Sequence, residues 1–286
     1  KTAENVKNVT ITGIEDAFND WDKNLNDDFS GNYDELLNKP DLSIYATKDM
    51  NNENIINLAD PINQQDVATK AYVDELKNQI KDLQVAIGIK VKDIDGNIYG
   101  IVTIGTQAWM VENLKTTRYN DGTAIPLITD NTIWSNLTTG AYCWYDNDSV
   151  TYASSYGALY NWYAVNTSKL CPIGWHIPTD TDWSILLDYL GGESIAGGKL
   201  KATGTTYWIM PNTGATNESG FSALPGGYRS PASGSFLTIT STGRWWSSTE
   251  YTIDYAWYRY LDYDGIDVTK GYWNKPSGLS IRCIKD

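Results

Sequence analysis

The sequence predicts an α+β fold preceded by an extended segment and a short helical seam. Three observations carry that prediction. Val91 to Ile94, then Asp95-Gly96, then Ile98 to Ile104 reads as a β-hairpin with a tight turn. "TDTDWSILLDYLGG" reads as a helix: Thr179 can cap it with Asp182 three residues on, and Trp183, Leu186, Leu187 and Leu190 make one face. Gly191 ends it. From Ala196 onward Gly, Pro, Asn and Ser recur every few residues, so short strands are scattered among loops.

Before the domain lies a stretch of different composition. Residues 1–66 are rich in Asn and Asp, with isolated apolar residues among turn formers, and build no core alone. They read as a linker or as an extended segment ordered by sister chains. In 67–89, Val73, Leu76, Ile80, Leu83 and Ile87 are spaced 3, 4, 3, 4, an a/d seam with Lys77, Lys81 and Asp82 on the outer faces. This is expected to be a parallel oligomer seam; the alternative is an amphipathic helix packed on its own domain. Val and Ile at a with Leu at d by themselves favour two strands.

Residues 90–286 are the globular part. In the opening hairpin Asp93, Asp95 and Asn97 resemble the start of a calcium loop, but the later ligands and closing Glu are missing, so they read as a turn. In "SYGALYNWYAV", Leu159, Trp162 and Tyr163 have helical spacing, giving two helices in the domain. "GLSIRCIKD" closes the chain as an apolar core strand.

Composition limits function. The chain has 286 residues, enough for a real core, and 20 Tyr and 12 Trp against 4 Phe and 3 Met. Tyr and Trp carry a polar handle and suit half-wet surfaces better than dry cores. The net charge of -13 argues against nucleic acid and against anionic membranes as whole-surface partners. No apolar stretch reaches membrane-spanning length, so no membrane insertion is expected, and the polar residues 1–10 do not read as a secretory leader.

The segments "LCPIGWHIPTDTDW", "NTGATNESGFSALPGGYR", "WWSSTE" and "GLSIRCIKD" together resemble the Fibrobacter succinogenes major paralogous domain over about residues 90–286. "HIPTDTDW" is also similar to a signature of formylglycine-generating enzymes, which implies a C-type lectin-like fold. "GNYDELLNKP" and "NLADPINQQDVATKAYVDEL" resemble phage tail-fibre segments, which implies three chains. The resemblance further implies a variable protein of a diversity-generating retroelement, in which randomised AAC codons give Tyr, Asp, Asn, Gly, Ser, Thr or Ile but never Trp. Tyr258, Tyr260, Asp262, Asp264, Gly265, Asp267, Thr269, Gly271, Tyr272 and Asn274 belong to the permitted set. Trp257, Arg259, Leu261 and Val268 look like framework, and Trp273 departs from the scheme. Strand alternation agrees: Tyr258, Tyr260, Asp262 and Asp264 would point outward, and Trp257, Arg259, Leu261 and Tyr263 the other way. With Tyr251, Asp254, Tyr255 and Trp273 these residues form the expected ligand-binding face, paratope-like in composition.

The same likeness raises an enzymatic alternative. Formylglycine-generating enzymes use paired cysteines near the C-terminal end, whereas Cys283 has no second thiol within a few residues. The expectation is therefore no enzyme, no cofactor and no metal. Cys171 and Cys283 either meet as a disulfide or, in a reducing compartment, stay with Cys143 as buried thiols. His176 reads as a core histidine satisfied by backbone, and Glu218 and Glu250 as loop-holding residues. The expected role is receptor binding or adhesion, as a homotrimer, toward a protein or glycan on a cell surface. The expected location is a virion tail fibre or a cell surface. The alternative is a cell-surface module of fixed specificity.

Overall fold

The computed structural model describes residues 69–286. The N-terminal segment 1–66 lies outside the described residues. In chain order the elements are α1 (Lys70–Ala86), β1 (Lys90–Lys92), β2 (Ile98–Ile104), β3 (Gln107–Met110), α2 (Asn131–Ser135), β4 (Tyr142–Cys143), α3 (Ser149–Tyr156), β5 (Leu159–Tyr160) and α4 (Trp162–Val165). They continue with β6 (Trp175–His176), α5 (Asp180–Tyr189), α6 (Glu193–Leu200), β7 (Tyr228–Arg229), β8 (Phe236–Leu237), β9 (Thr242–Glu250), β10 (Tyr255–Asp262), β11 (Thr269–Asn274) and β12 (Ile284–Lys285). The fold is α+β.

The chain divides into two units, Lys1–Lys77 and Asn78–Asp286. In the described part of the first, Thr69 starts α1, its hydroxyl accepting from the Tyr72 N–H at 3.0 Å. Val73 is half-buried and Leu76 exposed. In the second unit Ile80, Leu83 and Ile87 are exposed too, Ile87 lying one residue past the helix. No residue of α1 is buried.

The opening hairpin forms with Val91 opposite Tyr99, but its turn is wider than the sequence predicts. Asp93 Oδ1 accepts from the N–H groups of Asp95 and Asn97, both at 2.9 Å, and the Tyr99 hydroxyl donates to Oδ2 at 2.6 Å. These local bonds compete with the ladder and stop β1 at Lys92. Strands β1, β2, β3, β12 and β6 make one sheet in that order.

Helix α5 is the element the sequence specifies best. Thr179 and Asp182 form a reciprocal capping box, and Trp183, Leu186 and Leu187 are buried. The predicted helix at 159–163 is different. Leu159 belongs to β5, and only one turn, α4, follows, capped by Asn161. Gly157 (φ 72°) breaks the chain between it and α3, and a Cβ there would lie 2.7 Å from the Leu114 carbonyl oxygen. The unit therefore holds more helices than the two predicted, α2, α3 and α6 among them. The closing segment is buried from Leu279 to Ile284, yet only Ile284 and Lys285 join a sheet. Leu279 bridges Tyr160 and Ser280 bridges Trp245, so the segment stitches several elements instead of running in one ladder.

Two cores flank the three-stranded sheet β11-β10-β9. One gathers Tyr99, Leu114, Trp162, Leu279 and Ile281; the other gathers Trp109, Trp183, Leu187, Phe221 and Leu261. Adjacent residues Trp246 and Trp245 enter the first and second core respectively. Their indole N–H groups donate to the Tyr160 carbonyl and to Asn113 Oδ1, each at 2.9 Å. The half-wet role expected of tryptophan fails here: Trp109, Trp134, Trp162, Trp183, Trp208, Trp245 and Trp246 are fully buried. Large indoles fill the space between short elements that offer few aliphatic side chains. Cys171 and Cys283 form a disulfide across the first core, and Cys143 is a buried free thiol that burial pushes up to about 12.

Candidate functional site

The expected binding residues lie on the β9–β10–β11 sheet and its two connections. Register fixes which side chains share a face. Tyr258 pairs with Trp246 on one side and Gly271 on the other, Tyr260 with Arg244 and Thr269, and Ala256 with Trp273. Trp257 pairs with Tyr272, and Arg259 with Trp245 and Lys270. A bulge in β9 opposite Trp257 lets the hairpin end leave the cores.

The single outward face expected from alternation is thus two patches on opposite faces. The first holds Tyr258, Tyr260, Asp262, Thr269, Gly271 and Trp273. All are half-buried except Thr269, which is exposed. Tyr258 and Trp273 lean on the first core. The Tyr260 hydroxyl donates to Asp262 Oδ2 at 3.2 Å. Burial raises the Tyr258 and Tyr260 hydroxyls above the ordinary phenol value; Asp262 raises Tyr260 further, and Arg244 pulls both back.

The second patch sits at the other end of the sheet. Tyr272 is 51% exposed and stacks on Tyr251 with centroids 4.2 Å apart; Tyr255 meets its edge at 5.8 Å. Trp257, expected to be framework, is half-exposed and completes this cluster, 4.7 Å from Tyr251. Arg259, Leu261 and Val268, also expected to be framework, are buried. Beside the patch Asp254, Tyr255 and Asn274 line a depression of about 330 Å³ with Tyr163, Ser135 and Pro276.

Asp264, Gly265 and Asp267 occupy the β10–β11 connection. Its backbone is gripped from outside. The buried Lys201 ammonium donates to the carbonyls of Thr213, Asp262 and Gly265 at 2.9, 3.0 and 2.8 Å. Gly198 N–H donates to the Ile266 carbonyl, and Val268 N–H to the Glu193 carbonyl. Gly197 packs so closely that a Cβ would collide with the Asp267 carbonyl. The Asp264 and Asp267 side chains are left exposed. Burial lowers Lys201, and Asp262, Asp264 and Asp267 partly restore it.

One carboxylate ties the sheet to helix α5. Asp180 Oδ1 accepts from Arg259 and Oδ2 from Lys270, both at 2.7 Å, while Lys270 also lies 4.2 Å from the centre of the Trp257 ring. Burial raises the Asp180 carboxyl, but Lys270 and Arg259 outweigh it and hold it below the usual carboxylate range.

Residues 102–285 match the sequence model of the Fibrobacter succinogenes major domain. That span is well over half of the chain. The chain belongs to the Fibrobacter succinogenes major domain family. All the candidate ligand-binding residues fall inside the family domain, as do both disulfide cysteines. Comparison with curated proteins and with solved structures gives no match.

Other polar groups of the family domain are accounted for locally. His176 is not a core histidine satisfied by backbone: its side chain is 41% exposed, with Nδ1 2.6 Å from Asp286 and Nε2 3.3 Å from Asp182. "HIPTDTDW" places it one turn before the capping box, where carboxylates collect. Glu250 pairs with Lys275, whose ammonium also donates to the Ile253 carbonyl in the β9–β10 turn; Glu218 pairs with Lys199. Among the described residues no cluster of His, Cys, Asp and Glu could hold a metal ion, and no helix is long and apolar enough to cross a membrane. The sequence reading missed Tyr228, Arg244 and Lys201. Only Lys201 left a signal, a lysine closing an apolar helix.

Proposed function

We propose that this chain is a receptor-binding or adhesion protein that uses the β9–β11 sheet of a C-type lectin-like domain to contact its ligand, and that it is not an enzyme. One observation carries the reading. The candidate side chains stand on a backbone held by groups other than themselves. Buried Arg259, Leu261, Trp245 and Trp246 fix the strands, and Lys201 with the α6 main chain fixes the connection. Side chains can then be exchanged at Tyr260, Asp262, Asp264, Asp267, Thr269 and Tyr272 without changing what holds the fold. That is what a diversified variable protein requires. Tyr251, Tyr255 and Tyr272 supply aromatic anchors of the kind that dominate binding energy.

In this reading α1 gathers three chains through Val73, Leu76, Ile80, Leu83 and Ile87, as a short coiled coil in a tail-fibre or cell-surface protein. The Cys171–Cys283 disulfide supports an extracellular setting. The ligand is a protein or glycan on a cell surface. Sequencing the 3′ end of the gene across isolates tests diversification. Variation confined to the candidate positions, with Arg259 and Leu261 constant, is expected. Uniform sequence, or variation spread over the domain, leaves a module of fixed specificity instead. Trp273 favours that second reading at its own position, because it packs against the Tyr258 ring.

A further inference from the structure

Five arginines lie among the described residues, and four are held by carboxylate, amide or carbonyl oxygens. Arg118 binds Asp95, Arg259 binds Asp180, Arg282 binds Asn113 Oδ1 and the Phe221 carbonyl, and Arg229 binds the carbonyls of Gly234 and Thr129 with Asn131. Arg244 differs. It makes no ion pair among the described residues, and its Nε reaches Thr242 Oγ1 only at 3.4 Å. Its guanidinium instead lies among four rings: 4.5 Å from the centre of Tyr228, 4.6 Å from Trp273, 4.9 Å from Tyr260 and 5.9 Å from Tyr258. All five side chains are half-buried, so this cluster reaches solvent.

Rings attract the face of a guanidinium and, apart from a contact with the Tyr258 hydroxyl, supply no acceptor to its in-plane N–H fork. The chemistry that completes such a fork is a planar oxyanion, bound by two parallel hydrogen bonds. Charge selects among oxyanions. The chain carries -13, and Asp262 stands beside Tyr260, so a singly charged carboxylate is tolerated better than a doubly charged phosphate. Shape selects the rest of the ligand. Tyr228 and Trp273 meet at 48°, Trp273 and Tyr258 at 39°, making a shallow, tilted platform on a sheet face. It is no helix-wide groove, and although β11 is an edge strand, a peptide added there would pair with its main chain, two strands away from Arg244 on β9. A pyranose ring can lie on such a platform.

We infer that Arg244, with Tyr228, Tyr260 and Trp273, forms a subsite for the carboxylate of an acidic sugar. This rests on the reading of the sheet as a binding surface and names its ligand class. It also divides labour on the first patch: Arg244 and Tyr228 lie outside the candidate exchangeable set, so the anionic anchor stays while its surroundings change.

The test compares N-acetylneuraminic acid and glucuronic acid with their methyl esters and with glucose, by saturation-transfer NMR and calorimetry on the full chain. The acids are expected to bind about tenfold or more tightly than their esters, the loss that follows from removing a charge-assisted fork. Arg244→Lys, checked for folding by its thermal transition, should reduce the acids to the level of the esters. The acid–ester comparison needs no variant, so it stands even if Arg244→Lys does not fold. Equal binding of acid and ester, binding unchanged in Arg244→Lys, absence of sugar-acid binding, or preference for an acidic peptide overturns the inference. In those cases a cell-binding assay with Tyr251→Ala/Tyr272→Ala separates the two claims. If that double variant loses cell binding, only the Arg244 subsite fails; if cell binding is absent or indifferent to both patches, the binding-surface reading fails as well.

Discussion

Asp180→Asn should destabilise the domain by about 2–4 kcal/mol. The figure comes from what the change leaves behind. Arg259 has a side chain 1% exposed, and without the Asp180 charge its remaining protein bond is a 3.4 Å contact to the Tyr258 carbonyl. Its Nε already lacks a partner. Breaking a buried pair by removing one partner costs about 3–5 kcal/mol, because the other charge stays buried and unpaired. The more exposed Lys270 contact adds less than about 1 kcal/mol. An Asn oxygen can still accept one neutral bond, which returns about 1 kcal/mol. Urea midpoints of wild type and variant measure the difference. The pH dependence gives an independent check. The folded Asp180 carboxyl lies below its unfolded value, so its contribution is present above about pH 4 and is lost as pH falls through the folded value. The two stability curves should converge in acid. Adding Arg259→Met should recover most of the loss, since an apolar side chain needs no counter-charge. A loss under about 0.5 kcal/mol at neutral pH, or a gap that persists in acid, would refute the reasoning.

Three further outcomes follow from the same structure. The Cys171–Cys283 bond spans a sequence separation of 112, so Cys171→Ser/Cys283→Ser should lose about 4–5 kcal/mol in urea unfolding, and reductant should reproduce the loss in wild type. Lys201→Met removes the contacts that tie the Asp262 and Gly265 carbonyls of the β10–β11 connection to the Thr213 carbonyl. Amide exchange at 263–268 should rise about tenfold or more while the β9–β10 ladder keeps its protection; equal exchange would mean the α6 main chain suffices. Gly271→Ala places a Cβ 2.7 Å from the Tyr258 ring and should cost about 1 kcal/mol, but close to nothing in a Tyr258→Ser background; additive losses would show that the ring does not rest there.

Local signals made part of this molecule legible. Thr179, Asp182 and the Trp183–Leu190 spacing determine α5 within one segment, and the helix is as read. Residues 258–262 alternate as expected, with Arg259 and Leu261 buried and Tyr258, Tyr260 and Asp262 toward the other face. What failed depended on partners far along the chain. Whether Tyr272 shares a face with Tyr258 or with Trp257 is set by the β10–β11 register, and a one-residue shift reverses the answer. Trp257 is half-exposed where β9 bulges opposite it, which no local pattern announces. Arg244 precedes two tryptophans like any strand residue; its significance comes from Tyr228 and Trp273, brought beside it by pairing and packing. Leu159 had helical spacing to Trp162, but Gly157 and the pairing of Cys143 with Leu159 imposed a strand.

The candidate positions place different limits on exchange. Asp264, Asp267, Thr269 and Tyr272 are exposed, and the bonds that hold their backbone come from Lys201, α6 and the β10 ladder. Most side chains can replace them without reaching the core. Tyr258 is different: it is packed on Trp246 and Trp273, and its ring occupies the space above Gly271. A small residue at 258 opens a cavity next to Trp246, and a larger residue at 271 requires a smaller one at 258. Positions 258 and 271 should therefore vary as a pair, whereas 264, 267, 269 and 272 should vary independently. A repertoire of natural sequences in which 258 and 271 show no size compensation would contradict the packing on which this distinction depends.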